Sequence, residues 1–221
     1  GAARLRWGDP ADVLGGGLPL LSLLGTVTAA GWALRGALVA APAPNAARPH
    51  PLSSLPYGLF GLAAGSLVFL AGRHHPWAVI VLTLSMGPAE WLLYRYRGLS
   101  VAALRSTATP AGFRLRSAAV LAGCLLAYLG PLLPAALLVD ADPVTLLLLA
   151  AVLWTSLLLQ AFGVAWLPAV LCLTAAAGAG TVLLAGLPPG PATALALCCG
   201  GAALCLTAAV LRLLGRPAAH A

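Results

Sequence analysis

Apolar residues along this chain come in runs about as long as a bilayer is thick, and polar residues are confined to the gaps. A helix crossing the hydrocarbon core needs about 20 predominantly apolar residues. Seven stretches meet that length: 13–34, 54–72, 76–94, 117–139, 143–162, 166–187 and 191–214. The pattern predicts an all-α fold, a polytopic transmembrane helix bundle of about seven spans, with six to eight admitted by the joins. It forms a single integral membrane domain over residues 1–221.

The gaps carry residues that stop helices. Pro42, Pro44, Asn45 and Pro49 end the first run, which can slide toward Ala41. Arg73-His74-His75-Pro76 separates the second from the third, and Asp140-Ala141-Asp142-Pro143 the fourth from the fifth. Pro188-Pro189 lies between the sixth and seventh. The weakest break, Phe162-Gly163-Val164-Ala165, has no charge, and one long helix is its alternative; Gly163 and Pro168 favour a tight turn. Residues 95–116 read as an arginine-rich loop with a short interfacial helix over 99–105, and Thr109-Pro110 reads as an N-cap followed by proline in the first helical position. Pro88, Pro131 and Pro134 should kink their spans, and Gly61-x-x-x-Gly65, Ala176 to Gly180 and Gly200-Gly201 should let helices approach closely.

Composition explains why so few positions are polar. Residues are 61% hydrophobic and 8% charged, and mean hydropathy is +0.99. Soluble domains carry about 25% charged residues, so this chain cannot coat a water-facing surface. That excludes a soluble enzyme, a nucleic-acid-binding domain, a disordered tail and a disulfide-stapled scaffold. All twelve basic residues are arginine, and Ile, Asn, Gln and Met occur once each. Such usage points to a high-GC, bacterial genome and takes functional weight away from arginine as a choice over lysine. The chain begins at Gly1 without methionine, so its start was removed or it is a piece of a longer protein. A secretory signal ending near Ala41 is disfavoured, because its apolar run exceeds the 7–15 residues of such segments and Arg35 interrupts it.

The net charge of +7 is read through its position. Arg95, Arg97, Arg105, Arg114 and Arg116 fall in one gap, and cytoplasmic gaps carry the excess of arginine. With that gap inside and spans alternating, Arg35, Arg48, Arg212 and Arg216 are also inside, while Arg4, Arg6 and Arg73 are outside. The N-terminus is then out and the C-terminus in. These arginines set topology or meet lipid headgroups, at about 1 kcal/mol each near an anionic surface. The expected location is the bacterial inner (cytoplasmic) membrane.

Few groups could carry chemistry. Glu90, after Gly87-Pro88 and before Trp91 and Tyr94, is the one carboxylate clearly inside a span, and intramembrane ionisable groups are functional candidates by default. Its structural alternative is a carboxylate paired with a nearby arginine at the aromatic belt. Gln160 and Ser156 share a face of the fifth span four residues apart; they line a substrate or ion path, or bond neighbouring helices. Adjacent His74-His75 and the cysteines 124, 172, 198, 199 and 205 lack metal-ligand spacing. The Glu90…Arg95 spacing resembles membrane proteases using Glu-Glu-x-x-x-Arg, but Trp91 replaces the second Glu and the downstream membrane histidines are missing, which excludes that chemistry.

No metal, cofactor or nucleic acid is expected, and no enzyme, because no nucleophile–base pair or metal set exists. The sequence points to a transporter or flippase-like permease component. The alternative is a non-catalytic membrane anchor or assembly subunit of a larger complex. Expected partners are membrane lipids and further membrane subunits, including a second copy.

Overall fold

A computed structural model describes residues 54–106, 109–186, 188 and 190–214. The expected first span, 13–34, and the signal-like segment lie outside them. Among the described residues the fold is all-helical: α1 (Leu55–His74), α2 (Pro76–Leu84), α3 (Met86–Ser106), α4 (Pro110–Leu138), α5 (Pro143–Ala161), α6 (Trp166–Ala185) and α7 (Pro191–Leu214). Six segments are long and apolar enough to cross a membrane, with Pro76–Ser106 counting as one.

Helix α5 is the hub. In its apolar stretch 56% of residues are buried, against 22–39% for the other five segments. It packs on α4 and α7, α6 packs on α1 and α7, and α3 pairs with α4. Its Val152, Trp154, Ser156, Leu158 and Leu159 are all fully buried, which demands apolar character on every side rather than one stripe.

The turns close with little chain. At the doubtful fifth–sixth join, Gly163 adopts φ +83°. Gly163 N–H donates to the Gln160 carbonyl (2.9 Å) and Val164 N–H to Leu159 (2.9 Å), the paired bonds of a Schellman ending. Glycine takes this left-handed conformation without a Cβ penalty, so α5 and α6 are separate helices. The α4 terminus repeats the device with Asp140 at φ 58°, Ala141 N–H reaching the Ala136 carbonyl at 3.0 Å.

One expectation changes. The expected loop at 95–116 is mostly helix: α3 runs on to Ser106 and α4 starts at Pro110, with Thr109 capping the Gly112 N–H at 3.2 Å. Buried Leu92, Tyr96, Ser100 and Ala103 on α3 and buried Phe113 and Ser117 on α4 keep a helical repeat through the arginines, so the pair forms a packed hairpin. At the expected Pro88 kink the chain breaks at Ser85, between α2 and α3, where Pro88 has no N–H to offer the preceding turn; Pro131 and Pro134 lie inside the continuous helix α4.

Close approach is not where Gly61-x-x-x-Gly65 suggested. A Cβ added at Gly61 or Gly65 meets nothing within 4 Å, and α1 packs through Ala63 and Leu67 instead. Gly178 does sit tightly, a Cβ added there lying 3.1 Å from Cys198 Sγ, and Gly72 is tighter still, its Cβ position 2.6 Å from Val79 Cγ2. Valine is stiff at χ1 and cannot swing aside. Gly72→Ala should therefore destabilise the bundle by about 1–3 kcal/mol, while Gly61→Ala and Gly65→Ala are neutral or slightly stabilising, as read from thermal unfolding in detergent.

Candidate functional site

Because the six long apolar segments alternate in direction, with α2 and α3 counting as one, the charges gather at two ends. One, the aspartate end, holds Arg73, His75, Asp140 and Asp142, where α1 stops and α2, α5 and α7 start. The other, the arginine end, holds Arg95, Arg97, Arg105, Arg114, Arg116 and Arg212.

The aspartate end contains a cavity of about 180 Å³. Its polar lining is His75, Asp142 and Thr145, and its apolar lining includes Leu82, Leu149 and Leu195. Leu149 is fully buried and Leu82 is 2% exposed, so the space ends against packed side chains. A water molecule takes about 30 Å³ of liquid volume, and the cavity therefore has room for a few waters or a small polar group.

Local chain chemistry fixes the carboxylate. Asp142 is the N-cap of α5 and Pro143 its first residue. The Asp142 carboxylate accepts from Val144 N–H (3.3 Å), Thr145 N–H (3.0 Å) and the Thr145 hydroxyl. The Thr145 hydroxyl bond lowers its pKa most, partial desolvation opposes that shift, and the two backbone N–H bonds and the charge of His75 lower it further. The group is therefore held ionised at the mouth of the cavity.

The residues singled out from sequence do not meet there. Ser156 is fully buried and shares a 3.4 Å hydrogen bond with Cys172 of α6. Gln160 lies near the end of α5, its Nε2 buried without a partner. Glu90 is exposed on α3 with Trp91 and Tyr94 beside it. It is not paired with its neighbours: Arg95 stacks over Trp91 at 5.4 Å, and Arg97 stacks over Phe162 at 5.4 Å while donating to the Ala161 carbonyl. Arg116 donates to Ser106 Oγ at 3.1 Å.

Several buried polar groups join helices. Ser85, at the α2–α3 break, shares a 3.0 Å bond with the Tyr128 hydroxyl of α4. Tyr128 stacks on Trp154, ring centroids 6.3 Å apart, and Trp154 Nε1–H reaches the Ala89 carbonyl at 3.3 Å. Tyr96 and Ser117 share a 3.2 Å bond at the arginine end. No cluster of three metal-ligating residues occurs among the described residues.

His75 and Asp142 were not foreseen as a pair. Asp-Pro-x-Thr before an apolar run is a legible helix start, but 66 intervening positions separate His75 from Asp142, and only packing of α2 on α5 brings them to one cavity. The chain matches no protein-family model, no curated protein sequence and no solved structure.

Asparagine caps a helix about as well as aspartate, whereas alanine costs about 1 kcal/mol. Asp142→Ala should lower the unfolding midpoint most, and Asp142→Asn, which keeps a capping oxygen but not the charge, should lower it less at neutral pH. Since the folded carboxyl has a lowered pKa, its ionic contribution is complete above about pH 4, the unfolded carboxylate range, and disappears as pH falls through the folded value. A melting series from pH 7 downward should show this loss in the wild type and its absence in Asp142→Asn.

Proposed function

We propose that the protein is a multi-pass membrane component that anchors or assembles a larger membrane machine, rather than one that carries a substrate through its own helices. The observation behind this reading is the outer flank of α3. Glu90 is exposed there, with exposed Trp91 and Tyr94, on a helix whose opposite face is filled by Ala89, Leu92 and Tyr96. A carboxylate on the outside of a membrane helix is costly against lipid. A neighbouring subunit offering a hydrogen-bond donor or cation removes that cost, and the aromatic residues beside it are the types enriched in interface cores.

The interior supports the same reading. Ser156 spends its hydroxyl on Cys172, Ser85 on Tyr128, and Thr155 on its own helix's Ala151 carbonyl. These are satisfied bonds in packed surroundings, of the sort that hold membrane helices together. The orientation that goes with the proposal has the arginine end in the cytoplasm, the N-terminus out and the C-terminus in, within the inner membrane of a bacterium.

A transporter of permease type is the second reading, and the His75–Asp142 cavity favours it, since an ionised carboxylate beside a histidine at a cavity mouth could receive a cation or proton. Mass measurement after mild extraction separates the two. The assembly reading expects a particle well above the 22.1 kDa chain, reduced to the bare chain by Glu90→Arg. A bare wild-type chain that catalyses uptake into vesicles, with uptake lost in Asp142→Asn, contradicts it.

A further inference from the structure

The arginine end has six cations among the described residues and no internal counter-ion, because no Asp or Glu lies between 91 and 139 or after 142. Three of the six are engaged: Arg95 with Trp91, Arg97 with Ala161 and Phe162, Arg116 with Ser106. Arg114 has no partner among the described residues, and it borders a notch between α3, α4 and α7. Tyr96, Ser117, Leu121 and Leu211 line the same notch.

The notch is small. Its volume is about 10 Å³, near the minimum that a single water-sized oxygen requires. The Tyr96 and Ser117 hydroxyls face each other at 3.2 Å. Each carries one hydrogen, and their mutual bond uses one of the two. The remaining O–H is free to donate, next to a guanidinium that donates up to five more. An uncompensated guanidinium with a spare hydroxyl donor is a receptor for a phosphate oxygen.

Helix length sets the depth. Twenty residues at 1.5 Å each span the roughly 30 Å hydrocarbon core. Counted back from Leu138, the α4 terminus, they reach position 119; counted forward from Pro76, they reach Arg95. Both counts put the boundary at the level of the notch, with Arg114 and Ser117 a few ångströms into the headgroup layer. Leu115 and Leu211 beside it are 76% and 47% exposed, offering an apolar surface to an acyl chain.

We propose that Arg114, with the Tyr96 and Ser117 hydroxyls, binds the phosphodiester of an anionic phospholipid at the arginine end, its acyl chain lying along α4 and α7. This rests on the reading that the chain is embedded in a membrane. An anionic headgroup is preferred to a zwitterionic one, because no carboxylate stands nearby to receive an ammonium group.

Lipid retention by the purified full chain tests it, using native mass spectrometry from micelles containing equal phosphatidylglycerol and phosphatidylcholine. Phosphatidylglycerol should be retained about five-fold over phosphatidylcholine, the factor worth one arginine near the surface. Arg114→Gln should erase the preference. Arg105→Gln removes the same charge away from the notch and should leave it intact, and Tyr96→Phe should weaken it. Equal retention of both lipids overturns the proposal, as does an equal effect of Arg105→Gln and Arg114→Gln, which would mean a diffuse charge effect. Complete displacement of phosphatidylglycerol by 10 mM inorganic phosphate would assign the site to free phosphate instead and also overturns it. Alkaline carbonate washing of membranes checks the underlying reading separately: release of the chain would end that reading, while retention leaves the lipid preference to decide the site.

Discussion

A backbone amide in hydrocarbon has no water to bond, so every N–H and C=O must be closed within the protein. The architecture of the described residues follows from that constraint. Helices satisfy their interiors, and the problem moves to their ends, where N–H and carbonyl groups are left over. Four of the seven helices, α2, α4, α5 and α7, begin with proline, which brings no N–H to the position where one would be orphaned. At the opposite ends, Gly163 and Asp140 turn the chain left-handed so that the last carbonyls accept bonds from the turn itself. The connections α4–α5 and α5–α6 then need only four residues each, 139–142 and 162–165, and successive helices must run antiparallel. Alternation of direction sorts the charges into two ends.

That sorting gives the bundle two unlike chemical faces. At the aspartate end, helix starts converge around a cavity whose mouth carries an ionised carboxylate, itself held by helix N–H groups. At the arginine end, α3 and α4 continue as a packed hairpin for about ten residues past a 30 Å slab, bearing five arginines and no carboxylate. The arginines are therefore mounted on rigid helices at fixed registers, which is why Arg95, Arg97 and Arg116 each find a defined neighbour. Between the ends, the Ser85–Tyr128–Trp154 group ties the α2–α3 break to α4 and the hub helix α5, placing polar atoms where a broken helix would otherwise expose its backbone.

Much of this was legible in the residues. Apolar runs located the six described apolar helices, four of them to within a few residues at both ends, and Thr109-Pro110, Asp142-Pro143 and Gly163 marked helix ends for identifiable physical reasons. Arginine density in 95–116 masks the hairpin, although Leu92, Tyr96, Ser100 and Ala103 carry the helical repeat through the charged stretch. Gly61-x-x-x-Gly65 misled because a spacing of small residues permits close approach without supplying a partner; α1 turns its Ala63–Leu67 face inward instead. Ser156 and Gln160 do share a face of α5, but whether such a face lines a path or a packed seam depends on α6, which sequence spacing does not encode. The His75–Asp142 cavity is tertiary in origin, and so is the notch beside Arg114.

The claim on which the rest depends is that these helices cross a bilayer with the arginine end inside. Labelling single cysteines at positions 105 and 140 with a membrane-impermeant maleimide, in a background with the five native cysteines replaced by alanine, tests it most directly. The account predicts that Asp140→Cys reacts in intact cells and Arg105→Cys only after permeabilisation. Labelling of position 105 in intact cells, or of both positions from the same side, would contradict it.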